Sequence, residues 1–231
     1  MKNILNIENL SFNYENLELF KNLNLVIKEG SFITILGSSG SGKTTLIKIL
    51  KNELKYSGKT NINVSKKEVS FCSDFENIKF FQDKVEEELK ESLRNYKLSK
   101  KEIKEKIEQL SKELNIKNLL DCSTKYLSAS EKQIIALTKA LINNPEVLIL
   151  DDSTSAVDTK TDSLIRKAFR EEIPNTTKII IAQRISSVQD ADKIVVMDNG
   201  KIDAIGTHEE LLKNNKIYKE VYESQTKGVE E

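Results

Sequence analysis

Residues 37–44 read G-S-S-G-S-G-K-T, and the spacing G-x-x-x-x-G-K-[ST] suits a phosphate-binding loop. Glycines let successive backbone N–H groups turn inward around an anion, and a helix opening at the lysine adds the positive end of its dipole. Gly37, Ser38, Ser39, Gly40, Ser41 and Gly42 form the expected cradle, with Thr45 as its last member. Lys43 is expected to reach the β- and γ-phosphates of a nucleotide and to take part in catalysis, and the Thr44 hydroxyl to ligate Mg²⁺. Two carboxylates, Asp151 and Asp152, close the apolar run V-L-I-L at residues 147–150. A buried aspartate at the end of such a run is costly unless it balances a charge, so Asp151 is the expected metal-linked acid.

These groups need elements to position them, and the hydrophobic pattern supplies candidates. Residues 32–36 (FITIL) read as a continuous buried strand directly before the glycine-rich loop, and Leu46, Ile47, Leu50 and Leu54 follow at helical spacing. Strand, loop and helix in that order are the context a phosphate loop requires. Upstream, I-L-N-I-E-N-L-S-F and L-N-L-V-I alternate as half-buried strands do, and short strands are expected near residues 59–64 and 69–72. Residues 84–144 are helical in pattern and heavily charged. There Ser99 and Glu102 make a capping box before Ile103, Ile107, Leu110 and Leu114. The Lys/Glu richness of that stretch reads as a solvated face with i,i+4 pairs. Beyond Pro145, V-L-I-L, K-I-I-I-A and K-I-V-V-M alternate with helical stretches, and Thr207 with Glu210 caps a C-terminal helix. Alternating strands and helices with buried apolar strands predict a parallel α/β sheet, interrupted by a helical subdomain.

Composition narrows the function classes. A chain of 231 residues suits one large domain or a domain with a subdomain. Its 36 basic and 36 acidic residues cancel, so no global field recruits nucleic acid or an anionic membrane. Cys72 and Cys122 make neither a metal-type pair nor a disulfide framework, and read as reduced thiols. Asn and Glu among the first ten residues do not suit a signal peptide, and no apolar run is long enough to span a bilayer.

With the phosphate loop placed, other segments resemble the ATP-binding cassette (ABC) ATPases. L-S-A-S-E-K-Q at residues 127–133 resembles their signature, about twenty residues before the acid-bearing strand V-L-I-L-D-D. S-T-S-A-V-D resembles the D-loop, K-I-I-I-A-Q-R-I-S-S-V the switch segment, and G-K-I-D-A-I-G-T-H-E-E-L-L the family's ending. The resemblance covers essentially the whole chain, but unevenly. Up to about residue 150, with N-I-E-N-L-S-F-N-Y and S-E-K-Q, it is to the ATPases of energy-coupling-factor importers. From Asp151 onward it is to the degenerate nucleotide-binding domain of heterodimeric exporters, as in a mosaic of two lineages.

The resemblance implies an α/β fold: a P-loop NTPase core with a parallel sheet, an N-terminal antiparallel β-subdomain and an inserted α-helical subdomain. The implied division is 1–83 for the β-subdomain and P-loop part, 84–144 for the signature subdomain and 145–231 for the rest of the core. ATP and Mg²⁺ are the implied cofactors. Tyr14, 23 positions before Gly37, stands where the family places an aromatic that stacks on adenine, with Phe12 as the rival. Ser128 is expected to offer its hydroxyl to the γ-phosphate held by an opposing subunit.

Several positions depart from the family pattern. Asp152 stands at the catalytic-base position, where glutamate is usual. One methylene less withdraws the carboxylate by roughly 1–1.5 Å, and misplacement of that size costs on the order of a hundredfold in rate. Gln183 replaces the switch histidine; it can hydrogen-bond a γ-phosphate but carries no positive charge and shuttles no proton. The only histidine, His208, is assigned a capping or surface role. No sensor glutamine can be placed in residues 72–85, where Ser73 or Asp74 occupies the site and Gln82 comes late. Ala129 and Ser130 replace two signature glycines, and Ser130 with Gln133 is expected to cap the signature helix.

The expected function is that of an ATP-binding ABC transporter subunit with weak hydrolysis. It would dimerise head to tail with a second ATPase subunit and act on membrane-spanning subunits from the cytoplasmic face, with no nucleic-acid partner. The alternatives are an ATP-gated dimerisation module with little turnover, or a soluble ABC ATPase acting on ribosomes or DNA ends.

Overall fold

The computed structural model describes residues 2–72, 78–151, 169, 173–182 and 191–227, with residues 226 and 227 described by backbone only. Asp152, Gln183, Ser73 and Asp74 lie outside the described residues. The chain forms two compact units, one comprising Met1–Ser65, Ile149–Asp152 and Thr177–Glu231, the other Lys66–Leu148 and Ser153–Thr176. Among the described residues no helix is long and apolar enough to cross a membrane.

The first unit opens with an antiparallel sheet in which β1 (Asn3–Tyr14) lies between β2 (Leu17–Lys28) and β4 (Ser57–Ile62). The alternating pattern works because Ile4, Ile7, Leu10 and Phe12 of β1 and Phe20, Leu23, Leu25 and Ile27 of β2 turn inward. The register shifts between Ile7 and Leu10, where Asn9 takes a left-handed conformation at φ 50°. The extra residue restores Leu10 and Phe12 to the buried face.

The second sheet of this unit is built around β3 (Phe32–Gly37), which pairs in parallel with β7 (Thr177–Ile181) on one side and β8 (Lys193–Asp198) on the other. The strand order runs β6 (Val147–Asp151), β7, β3, β8 and β9 (Lys201–Gly206), with β9 antiparallel to β8. Continuous apolar runs in β3, β7 and β8 are what a sheet covered on both faces demands. α1 (Lys43–Leu50) follows β3 and ends sooner than the sequence stripe suggested. Asn52 adopts φ 61°, its N–H bonds the Ile49 carbonyl, and the Glu53 N–H bonds the Lys48 carbonyl. This Schellman arrangement leaves Leu54 outside the helix.

At the C-terminal end α5 (His208–Asn214) carries the expected Thr207/Glu210 capping box and α6 (Lys216–Lys227) follows. Tyr218 is fully buried among Leu36, Ala182, Ile194, Val196 and Leu211, and its hydroxyl meets His208 Nδ1 at 2.6 Å. His208, the first residue after the Thr207 cap, therefore holds α6 down as well as starting α5. Burial, with Tyr222 nearby, pushes the Tyr218 phenol up to about 12.

Among the described residues, the second unit holds β5 (Val69–Cys72) and the helices α2 (Val85–Ser92), α3 (Lys100–Glu113) and α4 (Ala129–Leu141). The Ser99/Glu102 capping box opens α3 as read from the sequence. The cap of α4 differs from expectation: Ser128, not Ser130, is the N-cap, and its partner is Glu131 rather than Gln133. The reason is spacing, since Ser128 and Glu131 satisfy the S-x-x-E rule two residues earlier and let Ala129 and Ser130 begin the helix.

One buried charge organises this unit. Glu88 on α2 is 1 % exposed; its carboxylate meets Lys139 Nζ of α4 and accepts the backbone N–H groups of Phe81 and Gln82, both at 2.8 Å. The Lys139 ammonium also sits 5.4 Å from the centre of the Phe80 ring. Glu88 thus ties residues 80–82 to α2 and α4 together. Removing it leaves an ammonium and two N–H groups without their acceptor. Glu88→Ala should therefore cost about 3 kcal/mol, read as a lower urea midpoint.

Candidate functional site

The site starts with the close fit of the glycine-rich loop. A Cβ at Gly37 would fall 2.2 Å from the Met197 carbonyl oxygen of β8, so only glycine permits β3 to end there. Gly42, the N-cap of α1, sits at φ 104°, and a Cβ would meet the Phe20 ring at 2.6 Å. Between them Ser41 is buried, its N–H bonded to the Ser38 carbonyl at 3.2 Å.

Lys43, first residue of α1, folds back into this loop and is 7 % exposed. Its Nζ donates to the carbonyls of Gly37 and Ser38, both at 2.8 Å, and to Ser41 Oγ at 3.3 Å. Burial pushes the ammonium below the usual lysine range, and the nearby Asp151 carboxylate opposes that shift. Thr44 is exposed at the helix start and Thr45 is buried beside it.

Loop, Lys43, Thr44, Thr45 and Asp151 line one cavity of about 550 Å³. Tyr14 lines it too, from the end of β1 where the hairpin turns back at Leu17. Its hydroxyl lies 3.4 Å from Thr45 Oγ1. Of the two aromatic candidates, Phe12 is 8 % exposed and Tyr14 43 %. Phe12 meets Tyr14 edge-on with centroids 4.8 Å apart and lies 6.5 Å from Phe20. The buried pair therefore supports the ring that faces the cavity.

Gly37, Ser38, Ser39, Gly40, Gly42, Lys43, Thr44, Thr45, Asp151 and Tyr14 are thus brought together, with Ser41 behind the loop bonding Lys43. Ser128 belongs to the second unit, where its hydroxyl donates to Glu131 at 2.8 Å as the cap of α4.

The sequence reading passed over two contributors. The turn Asn199–Gly200 joins β8 to β9 with both residues at positive φ, 45° and 73°, and the Gly200 N–H donates to the Ser41 carbonyl at 3.2 Å. Asn-Gly between apolar strands is a strong hairpin signal and was there to be read. Val221 and Gln225 of α6 also line the cavity, and no motif announced them.

A family model described as ABC transporter matches residues 20–155. The multidrug resistance-like ATP-binding protein MdlB of Buchnera aphidicola subsp. Schizaphis graminum is 32 % identical over 96 % of this chain, which covers 41 % of that protein. The ATP-dependent lipid A-core flippase of Francisella tularensis is 31 % identical over 94 % of this chain, which covers 38 % of the flippase. The chain thus spans about two fifths of the length of these relatives. Among solved structures, a bacterial Atm1-family ABC exporter with ATP bound has a TM-score of 0.83 at 25 % identity, covering 96 % of this chain and 41 % of the exporter chain. The cbiO1 protein of Clostridium perfringens, part of the ABC transporter complex cbiONQ, has a TM-score of 0.80 at 26 % identity. That match covers 98 % of this chain and 97 % of the other.

The Asn199–Gly200 turn provides a test of how the loop is held. A Cβ at Gly200 would lie 1.5 Å from the Leu19 carbonyl oxygen, a backbone atom that no side-chain change can remove. Gly200→Ala should destabilise by more than about 1 kcal/mol, and pairing it with Leu19→Ala should give no relief. Thermal unfolding of both variants checks this.

Proposed function

The chain belongs to the ABC transporter family, whose ATP-binding domains hydrolyse ATP, and we propose that it couples Mg-ATP to separate membrane-spanning subunits at the cytoplasmic face of a membrane. The observation that carries this reading is the convergence of the glycine loop, Lys43, Asp151 and Tyr14 on one cavity. The donor set fits a triphosphate and a hard cation: a buried ammonium, a loop with no room for a Cβ at Gly37 or Gly42, a hydroxyl at Thr44 and a carboxylate at Asp151. Thr44 and Asp151 would hold Mg²⁺, which supplies charge neutralisation on the phosphate oxygens.

Each residue then has a role. Lys43 exchanges its bonds to the Gly37 and Ser38 carbonyls for charge-assisted bonds to phosphate. Tyr14 stacks on adenine, a reading its exposure supports against Phe12. Ser128 of a second, head-to-tail subunit offers the start of its α4 to the same phosphate. The Ser128 cap supports this, because a helix N-terminus presents donors there despite the lost glycines. Asp152 orients the attacking water from a carboxylate one methylene short, and Gln183 contacts the γ-phosphate without donating a charge. Hydrolysis by this chain alone is accordingly slow, and the ATP-bound pair long-lived.

Binding and turnover are tested separately. Lys43→Ala should lose most affinity for a fluorescent ATP analogue. Tyr14→Ala should weaken it by about 1–3 kcal/mol, with Tyr14→Phe nearly silent. A costly Phe12→Ala beside a harmless Tyr14→Ala would reassign the adenine contact.

For turnover, Asp152→Glu combined with Gln183→His should raise the single-turnover rate at least about tenfold. The two changes act on one phosphate, so their separate effects should not simply multiply. Brisk hydrolysis by the unaltered chain, abolished only by Asp152→Asn, would show aspartate to be a competent base here.

A further inference from the structure

We propose that Phe20 is a positioning residue for nucleotide binding: resting on the reading above, one buried ring sets the phosphate loop and the base-stacking tyrosine together.

Phe20 lies on β2, is fully buried and stands opposite Phe12 of β1 in the strand pairing. Its ring meets the phosphate loop directly. A Cβ on Gly42 would fall 2.6 Å from Phe20 Cε1 and 2.8 Å from Cζ, so the far edge of the ring lies against the Gly42 backbone. Gly42 is the joint at which the loop becomes α1. Its φ is 104°, and its carbonyl accepts from the Leu46 N–H at 2.8 Å. Lys43 follows at once, so the path by which its ammonium folds back into the loop starts from that joint.

The same ring also carries the tyrosine. Phe20 and Phe12 are tilted with centroids 6.5 Å apart, and Phe12 meets Tyr14 edge-on at 4.8 Å. Both separations lie in the range of about 4.5–7 Å in which aromatic pairs attract. Tyr14, exposed at the end of the row, places its hydroxyl 3.4 Å from Thr45 Oγ1. Thr45 is in the first turn of α1, so the contacts close a circuit that returns to Gly42.

That circuit makes Phe20 and Phe12 unequal. The atoms nearest a Cβ at Gly42 belong to Phe20 and Leu19, not to Phe12. Phe12 therefore serves the tyrosine alone, whereas Phe20 serves both ends. The Tyr14 hydroxyl contact is long for an O–H···O bond, so the ring behind it does most to fix its orientation. In a close-packed interior a shortened side chain at position 20 leaves both Gly42 and Phe12 without a wall. A loop and a ring held in place beforehand lose less freedom when a ligand arrives.

The test is titration of the full chain with a fluorescent ATP analogue and Mg²⁺, with and without Tyr14→Ala. Phe20→Leu should weaken binding by about threefold to tenfold, the size of an aromatic pair's contribution. Within Tyr14→Ala the loss from Phe20→Leu should shrink but persist, because only the loop remains to be held. The loss from Phe12→Leu should vanish there. A Phe20→Leu loss that Tyr14→Ala leaves undiminished would confine the ring to the loop, and one that it abolishes would confine it to the tyrosine. Either result overturns the proposal, as does a harmless Tyr14→Ala. If Phe20 is merely structural, Phe20→Leu lowers the unfolding midpoint and leaves the affinity of the folded chain unchanged. Unfolding curves set a temperature at which every variant is folded, and Phe20→Met, with its adaptable side chain, replaces Phe20→Leu if that variant does not fold. Lys43→Ala is measured in parallel: unchanged affinity there means that the nucleotide-binding reading itself has failed, whereas a costly Lys43→Ala beside a silent Phe20→Leu removes only the role of Phe20.

Discussion

Burying the Lys43 ammonium is the constraint on which the rest of this structure depends. A cation drawn out of water must be surrounded by acceptors, and here the acceptors are the carbonyls of Gly37 and Ser38, from the loop that the lysine follows. For those carbonyls to point inward, the loop must lie closer to β8 and Phe20 than any side chain allows. The loop is then braced from outside, by the Gly200 N–H on the Ser41 carbonyl, and that turn is in turn pressed against the Leu19 backbone. A charge thus dictates glycines, and the glycines dictate how tightly two sheets' turns approach.

Much of this was legible in the sequence because it depends on local rules. Strand, loop and helix around residues 37–44 follow from one motif and its flanking apolar runs, and two of the capping boxes were found by spacing alone. The α4 cap was misplaced because Ser128 and Ser130 each head a plausible box, S-x-x-E and S-x-x-Q, and local chemistry alone did not choose between them. Where the reading passed over features, the chain had used asparagine for work usually given to glycine. With only eight glycines, it puts Asn9, Asn22, Asn52, Asn115, Asn144 and Asn199 in left-handed conformations. Asn52 ends α1 and Asn9 shifts the β1 register, and neither announces itself as a glycine would. Val221 and Gln225 reach the cavity through tertiary packing of α6, which no sequence spacing encodes.

The likeness to an exporter and the likeness to cbiO1 each run over nearly the whole chain, across the position near Asp151 at which the sequence reading divided its two resemblances. One framework therefore underlies both resemblances. What the framework fixes is the cavity around the glycine loop, within the two fifths of the relatives' length that the chain spans.

Binding and turnover also separate on physical grounds. Contacts that hold substrate and transition state alike, such as a loop of backbone donors and a buried ammonium, set affinity without setting rate. Rate depends on groups placed to within a fraction of an ångström of the attacking water, and at the positions proposed for them this chain's sequence has a short acid and a neutral amide. If the phosphate bond breaks slowly, how long the bound state lasts is governed by how tightly the loop and the buried ammonium hold the nucleotide.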